Sequence, residues 1–208
     1  NLFVEKHLMH LSPNVMKIKP SITLAVTAKA NAMKAQGIDV IPLSAGEPDF
    51  GTPKHIADAA IAAIQAGFTK YTPSSGIPDL KKAICEKLNR ENGLKYAPSQ
   101  VMVNNGAKHS DFLAVFVMVG PGDEVIIPSP YWVSYPDMTL LSGGVPVIIE
   151  GKPENGLKIT PRQLRDAITP RTKLVILNTQ SNPTGMIYSE MELRELAEVI
   201  VEAGIHVL

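Results

Sequence analysis

Three short segments carry side chains whose types and spacing could do chemistry. In Asn104-Asn105-Gly106-Ala107-Lys108 a β-branched run gives way to a helix-forming one. The first amides of a helix point outward unbonded, and with the helix dipole behind them they attract an anion such as a phosphate. Gly106 would let the backbone come close to that anion, and Lys108 would add a positive charge. The phosphate-binding pattern G-x-x-x-x-G-K-[ST] occurs nowhere in the chain, and the same residues also suit a plain strand-to-helix turn. Ser129-Pro130-Tyr131-Trp132 sets the single tryptophan at a strand end, where its indole offers either a flat face to an aromatic ring or a piece of core. In Asn178-Thr179-Gln180-Ser181-Asn182-Pro183-Thr184-Gly185, the Asn182 carboxamide can donate to a ligand oxygen. Its other reading is a structural Asx-turn.

These segments need elements to position them. From residue 100 onward, short β-branched runs alternate with amphipathic ones. Strands are expected at 100–104, 124–127, 145–150, 173–178 and from 205, with helices at 107–119, 132–141, 161–168 and 189–203. Upstream, helices are expected over 20–36, from Thr52-Pro53 with Ile56, Ala60, Ala63 and Ile64 on a buried face, and through Leu80, Ile84 and Leu88 to a stop near Gly93. The alternation predicts an α/β fold of three layers, a mostly parallel sheet between helices. Ligands of such sheets gather beyond the carboxyl ends of the strands, so the three loops are predicted to share one pocket.

Composition narrows the function classes. The 208 residues are 45% hydrophobic and 19% charged, which fits a globular protein and not a disordered one. Lys plus Arg and Asp plus Glu are 20 each, for a formal charge of zero. That balance removes the general electrostatic motive for binding nucleic acid or an acidic membrane. The longest apolar run, Phe112 to Val119, is far short of the ~20 residues that cross a bilayer. Cys85 has no cysteine partner and reads as packing. His7 and His10 stand three apart without the acidic or cysteine neighbours of a metal site, so no metal is expected. The expected location is cytoplasmic. Asn1 is not an initiator methionine and Ile205-His206-Val207-Leu208 is an apolar run without a polar tail, so the chain is expected to be part of a longer polypeptide.

Taken in order and spacing, G-x-K at a helix start, P-Y-W after one strand and N-P-T-G after another resemble class I aminotransferases of pyridoxal phosphate fold type I. Among these the bacterial aspartate aminotransferase branch is the most similar. Lys19-Pro20-Ser21, Ser44-Ala45-Gly46-Glu47-Pro48-Asp49-Phe50, Lys70-Tyr71, Gly76-Ile77-Pro78 and Pro121-Gly122-Asp123-Glu124-Val125 share the likeness, which runs over nearly the whole chain. The resemblance implies pyridoxal 5'-phosphate as cofactor and an N-terminal half: residues 1–45 as arm and first helix, 46–208 as the first part of a large, incomplete cofactor-binding domain. Gly106, Ala107 and Lys108 would lie at the cofactor phosphate. The family often has glycine where Ala107 stands, a mild departure because a methyl leaves the amide N–H intact. Trp132 would stack on the pyridine ring, and Asn182 would hydrogen-bond its phenolic oxygen. Tyr71 would reach across a homodimer interface to the neighbouring subunit's phosphate. The Gly46 backbone, with Trp132 and Asn182, would meet the substrate α-carboxylate, while Lys108 and Thr23 would hold a distal carboxylate. That last pair implies aspartate, with 2-oxoglutarate as the amino-group acceptor.

The resemblance also implies what these residues lack. The cofactor's chemistry needs a lysine for the Schiff base and an acidic residue that keeps the pyridine nitrogen protonated. It also needs a supporting tyrosine and an arginine for the α-carboxylate. The family carries the acidic residue and tyrosine in a D-x-x-Y motif expected just past Leu208, with the lysine and arginine further on. No lysine here has a comparable serine- and glycine-rich setting, so no catalytic residue is assigned and the chain alone is expected to be inactive. The full protein would pass the amino group of L-aspartate to 2-oxoglutarate through the pyridoxamine form of the cofactor. Two other readings stay open: another fold type I enzyme, such as an aminotransferase for aromatic substrates or a lyase, and a non-catalytic or split fragment.

Overall fold

The computed structural model describes residues 11–43, 46 and 48–208, so His7, His10, Ser44, Ala45 and Glu47 lie outside the described residues. The chain divides into two compact units, Pro20–Asn104 and the combination of Asn1–Lys19 with Asn105–Leu208.

The Pro20–Asn104 unit holds three helices, α1 (Ile22–Ala35), α2 (Lys54–Gln65) and α3 (Pro78–Asn92). Their ends follow local chemistry. The Ser21 hydroxyl accepts the Leu24 N–H at 3.3 Å and starts α1. Pro78 suits the first turn of α3, and Gly93, at φ +68°, ends it while its N–H reaches the Asn89 carbonyl at 3.2 Å. Two expectations are corrected here. The stripe of α2 is not a buried face: no α2 residue is buried, and Ile56 and Ile64 are 51% and 66% exposed. A stripe records only which residues point one way, and covering it needs a facing element. The expected strand at 100–104 is also absent among the described residues. Val101 is extended, but the Val103 N–H goes to the Ser75 carbonyl at 3.0 Å, and extended backbone becomes a strand only with a ladder partner.

The other unit carries α4 (Ala107–Met118), β1 (Glu124–Ser129), α5 (Ser134–Leu141), β2 (Val145–Glu150), α6 (Pro161–Ala167), β3 (Thr172–Val175), α7 (Glu190–Ala203) and β4 (His206–Val207). The strands form one sheet in the order β2-β1-β3-β4, with every neighbouring pair parallel. Alternation along the strands sorts the core into two layers. Val125, Ile127, Leu174 and Ile176 pack with Val115 and Val119 of the α4 region and Met138 of α5. Ile126, Ile149 and Val175 point the other way, onto Leu164 of α6 and Leu196 and Ile200 of α7. Both faces are therefore covered, which is why these strands read as nearly continuous apolar runs. Each fully buried Val, Leu or Ile contributes roughly 1.5–3 kcal/mol. The three-layer α/β/α expectation holds for this unit, with a parallel sheet.

Local signals set several boundaries. Thr160 with Gln163, and Ser189 with Glu192, form reciprocal capping boxes that start α6 and α7. Helix α5 begins at Ser134 and not at Trp132, which leaves the tryptophan in the loop after β1. The β1 start is pinned to β3: the Glu124 N–H donates to the Arg171 carbonyl at 2.8 Å, and the Glu124 carboxylate accepts from Arg171, Thr169 and Thr172.

Strand order makes a crevice. From β1 the chain passes through α5 to β2, then returns through α6 to β3 on the opposite side of β1. The connections leaving the neighbours β1 and β3 run through α5 and α7, which pack on opposite faces. The loops after these two strands thus part from one another, the usual position of a ligand site in an open parallel sheet.

Candidate functional site

A cleft of about 440 Å³ lies beyond the carboxyl ends of β1 and β3. Small-molecule sites commonly span ~300–1,000 Å³. Ala107 and Asp111 of α4, Trp132 and Tyr135 after β1, and Asn178 and Asn182 after β3 line it. The three loops do share one pocket.

Each wall is held by identifiable bonds. At the α4 N-terminus the first intrahelical bond runs from the Ser110 N–H to the Gly106 carbonyl at 3.3 Å. The amides of Ala107, Lys108 and His109 precede it and have no partner within the helix. Gly106 sits at φ +80°, a conformation side chains rarely adopt, and a Cβ built there would meet nothing within 4 Å, so the approach to those amides is open. The Asn105 N–H donates to His109 Nδ1 at 3.4 Å and closes the turn. Trp132 meets the Tyr135 ring edge-on, with centroids 5.4 Å apart and planes at 84°, which orients the indole. The Lys108 ammonium stands 4.8 Å from the centroid of that same tryptophan. In the third loop the Asn182 N–H donates to Asn178 Oδ1 at 2.9 Å. The Asn178 side chain therefore braces the loop, and Asn178 and Asn182 both line the cleft.

Among the cleft residues that escaped sequence reasoning are two with ionisable side chains, Asp111 and Tyr135. Asp111 follows Ala107 by four positions and so shares its helix face, a signal that a helix starting at Ala107 contains. Tyr135 follows Trp132 by three, but the link is visible only once α5 is seen to begin between them. Burial pushes the Asp111 carboxyl above its ordinary value. The Tyr135 phenol is pushed up by burial first and by the Asp111 charge second.

Of the other expected site residues, Thr23, Gly46 and Tyr71 belong to the Pro20–Asn104 unit. Thr23 lies in the first turn of α1, where its carbonyl accepts the Thr27 hydroxyl at 2.9 Å. Gly46 is exposed between undescribed neighbours, and the Tyr71 side chain is fully exposed.

The donor set fits a phosphorylated heteroaromatic ring. Unbonded helix amides and a lysine suit a dianionic phosphate, an oriented indole suits a flat ring, and a carboxamide suits a ring oxygen. All of these groups border or adjoin one cleft.

Comparison with known proteins agrees with that chemistry. Residues 38–208 match the family described as aminotransferase class I and II. A relative named aspartate aminotransferase from Geobacillus stearothermophilus is 56% identical over 197 residues, 95% of this chain and 50% of that protein. One named aspartate/prephenate aminotransferase from Cereibacter sphaeroides is 58% identical over 92% of this chain and 48% of that protein. Among solved structures, the aspartate aminotransferase of Thermus thermophilus with maleate superposes with a TM-score of 0.92 at 47% identity, covering 95% of this chain and 52% of that one. The chain belongs to the class I and II aminotransferase family. It spans about half the length of the curated relatives it matches.

Proposed function

We propose that this chain is the N-terminal half of an aspartate aminotransferase that moves the amino group of L-aspartate to 2-oxoglutarate with pyridoxal 5'-phosphate. One observation carries the reading: the α4 N-terminus with Lys108, the oriented Trp132 and the Asn182 carboxamide converge on a single cleft at the β1/β3 switch point. The names and greater length of the relatives support it.

The helix amides at Gly106–Lys108 bind the cofactor phosphate, Trp132 covers the ring, and Asn182 donates to its phenolic oxygen. When bound, the cofactor supplies an electron sink that stabilises negative charge at the substrate α-carbon. The Gly46 backbone, with Trp132 and Asn182, meets the substrate α-carboxylate, and Lys108 and Thr23 orient the distal one. Tyr71, fully exposed here, reaches the phosphate of the second subunit in a homodimer. Residues 1–45 serve as arm and first helix and 46–208 as the start of the cofactor domain. The protein works in the cytoplasm; among the described residues no helix is long and apolar enough to cross a membrane.

The test is amino-group transfer by the full polypeptide that carries this chain, with and without Lys108→Ala. A charge-assisted bond contributes about 1.5–3 kcal/mol, so the variant should lose about 10- to 100-fold in kcat/KM for aspartate. It should lose little for a monocarboxylic amino acid. A uniform loss would reject Lys108 as the distal-carboxylate group, and no transfer from any amino acid would reject the whole reading. The relative named for prephenate as well as aspartate favours a second acceptor, which the same assay examines with prephenate as the oxo acid.

A further inference from the structure

Asn182, the expected donor to the ring oxygen, hangs on a single bond. It is exposed in the loop after β3, and among the described residues its one hydrogen bond with the protein runs from its N–H to Asn178 Oδ1, at 2.9 Å. Pro183, which follows it, has no N–H to add another. The rest of the loop is closed by bonds that bypass Asn182. The Ser181 N–H donates to the Met186 carbonyl at 2.9 Å, the Gly185 N–H to the Ser181 carbonyl at 2.7 Å and the Tyr188 N–H to the Thr179 hydroxyl at 3.2 Å. Asn178, by contrast, stands on the sheet. The two residues before it continue the ladder beyond β3: the Ile176 N–H donates to the Ile126 carbonyl of β1 at 2.9 Å, and the Leu177 N–H to the Leu208 carbonyl just past β4 at 2.8 Å. Ile176 is buried, and Asn178 is half-buried where it lines the cleft.

A loop carboxamide that must meet one ring oxygen contributes affinity only as far as it is already in place, because ordering it on binding costs free energy. The Asn178 side chain carries the rigidity of the sheet to the loop residue that has a ligand atom to reach. We propose that Asn178 is a positioning residue for the cofactor's phenolic oxygen: its Oδ1 fixes the backbone of Asn182, and so aims the Asn182 carboxamide, without touching the ligand itself. This role rests on the aminotransferase reading, which gives Asn182 its task, and deepens it by naming what holds Asn182 to that task. An asparagine that merely closes a turn affects stability. One that positions Asn182 also affects discrimination at a single ligand atom, and does so only while Asn182 is present.

The test uses the full polypeptide freed of cofactor and compares binding of pyridoxamine 5'-phosphate with its 3-deoxy analogue, which lacks the phenolic oxygen. Equilibrium dialysis gives both dissociation constants for the natural protein, Asn178→Leu, Asn178→Ala, Asn182→Ala and the double variant Asn178→Leu/Asn182→Ala. The natural protein should prefer the compound that has the oxygen. Asn182→Ala should lose about three- to tenfold of that preference, the scale of one hydrogen bond. Each Asn178 variant should lose about threefold or more of it by the same reasoning, and the double variant should lose no more than Asn182→Ala alone, because the two residues act as one unit. Affinity for inorganic phosphate, which meets the helix amides and Lys108, should change less than about twofold throughout. Asn178→Leu keeps nearly the natural shape and Asn178→Ala removes the side chain, and a far-UV circular dichroism melt identifies the variants that are folded. If folded Asn178 variants keep the natural preference, or if the losses at 178 and 182 add, Asn178 does not act through Asn182 and the proposal fails while the aminotransferase reading stands. If the natural protein binds neither compound, both fail.

Discussion

Replacing Glu124 with glutamine should cost the folded chain about 2–3 kcal/mol, most of it from charge-assisted hydrogen bonds that a neutral amide cannot accept. The Glu124 side chain is 5% exposed at the first residue of β1. Its carboxylate accepts from Arg171 Nε at 3.0 Å and from Arg171 Nη2, the Thr169 hydroxyl and, at 3.4 Å, the Thr172 hydroxyl. Bonds to a charged group contribute about 1.5–3 kcal/mol each in buried settings. The Arg171 side chain is 69% exposed, so its share is discounted to the ~0.2–1 kcal/mol of a screened pair. The rest comes from the threonine hydroxyls, one of which would face an amide N–H in place of an oxygen. Urea unfolding followed by circular dichroism at neutral pH reads the difference, and a change below about 0.5 kcal/mol would refute the reasoning, since that is the range of ordinary surface substitutions. The pH dependence gives a second arm. Hydrogen bonds from Thr169 first, and Arg171 next, hold the Glu124 carboxyl below its ordinary value. A group with a lowered folded pKa contributes its full stability above the unfolded value, near ~4.3. That contribution drains away as pH falls through the lower folded value. The gap between the natural chain and the glutamine variant should therefore be flat from pH 7 to about 5 and shrink at lower pH. A gap that persists undiminished would place the stabilisation elsewhere.

Two further outcomes follow from the packing of the same unit. Glu192 is held at a pKa of about 2, first by Lys158, 2.5 Å away, and then by the Ser189 amide and hydroxyl at the start of α7. Glu192→Gln keeps the reciprocal cap, as Gln163 does for α6, and should cost about 0.5–1 kcal/mol through the lost charge pair with the part-exposed Lys158, in urea titrations above pH 5. The difference should vanish as pH falls from the unfolded carboxylate value toward 2. Gly144 precedes β2 in a tight space: a Cβ there would stand 2.5 Å from Val119 Cγ1 and 3.1 Å from both the Asp123 carbonyl and Thr139 Cγ2. Gly144→Ala should destabilise by about 1–3 kcal/mol through overpacking, and a thermal melt at or above the natural midpoint would contradict that.

Much of the fold was legible because its causes are local. The helices expected at 161–168 and 189–203 and the helix stop near Gly93 have their starts and ends set within a few residues of where they act. Equally local is the anion-attracting geometry of Gly106–Lys108, which needs only a helix that begins there. The run at 100–104 and the apolar stripe of α2 show the limit of that reasoning, since β-branching and periodicity describe a segment and say nothing of what faces it. Asp111 shows the limit at the site: as a polar residue in an amphipathic helix it reads as a solvated face until Trp132 and Tyr135 are set beside it.

By itself, then, the sequence determined the alternation of strands and helices, the three loops expected to share a pocket, and a charge balance that gives no general electrostatic motive for binding a polyanion. The tertiary structure alone decided the strand order β2-β1-β3-β4, and with it the switch point that turns three separate loops into the walls of one cleft. It also decided that the Asn178 side chain braces the third loop, and that Asp111 lines the cleft. The division has a physical cause: helix period, capping and turn chemistry are fixed by neighbours a few residues away, whereas strand pairing and burial depend on segments tens of residues apart.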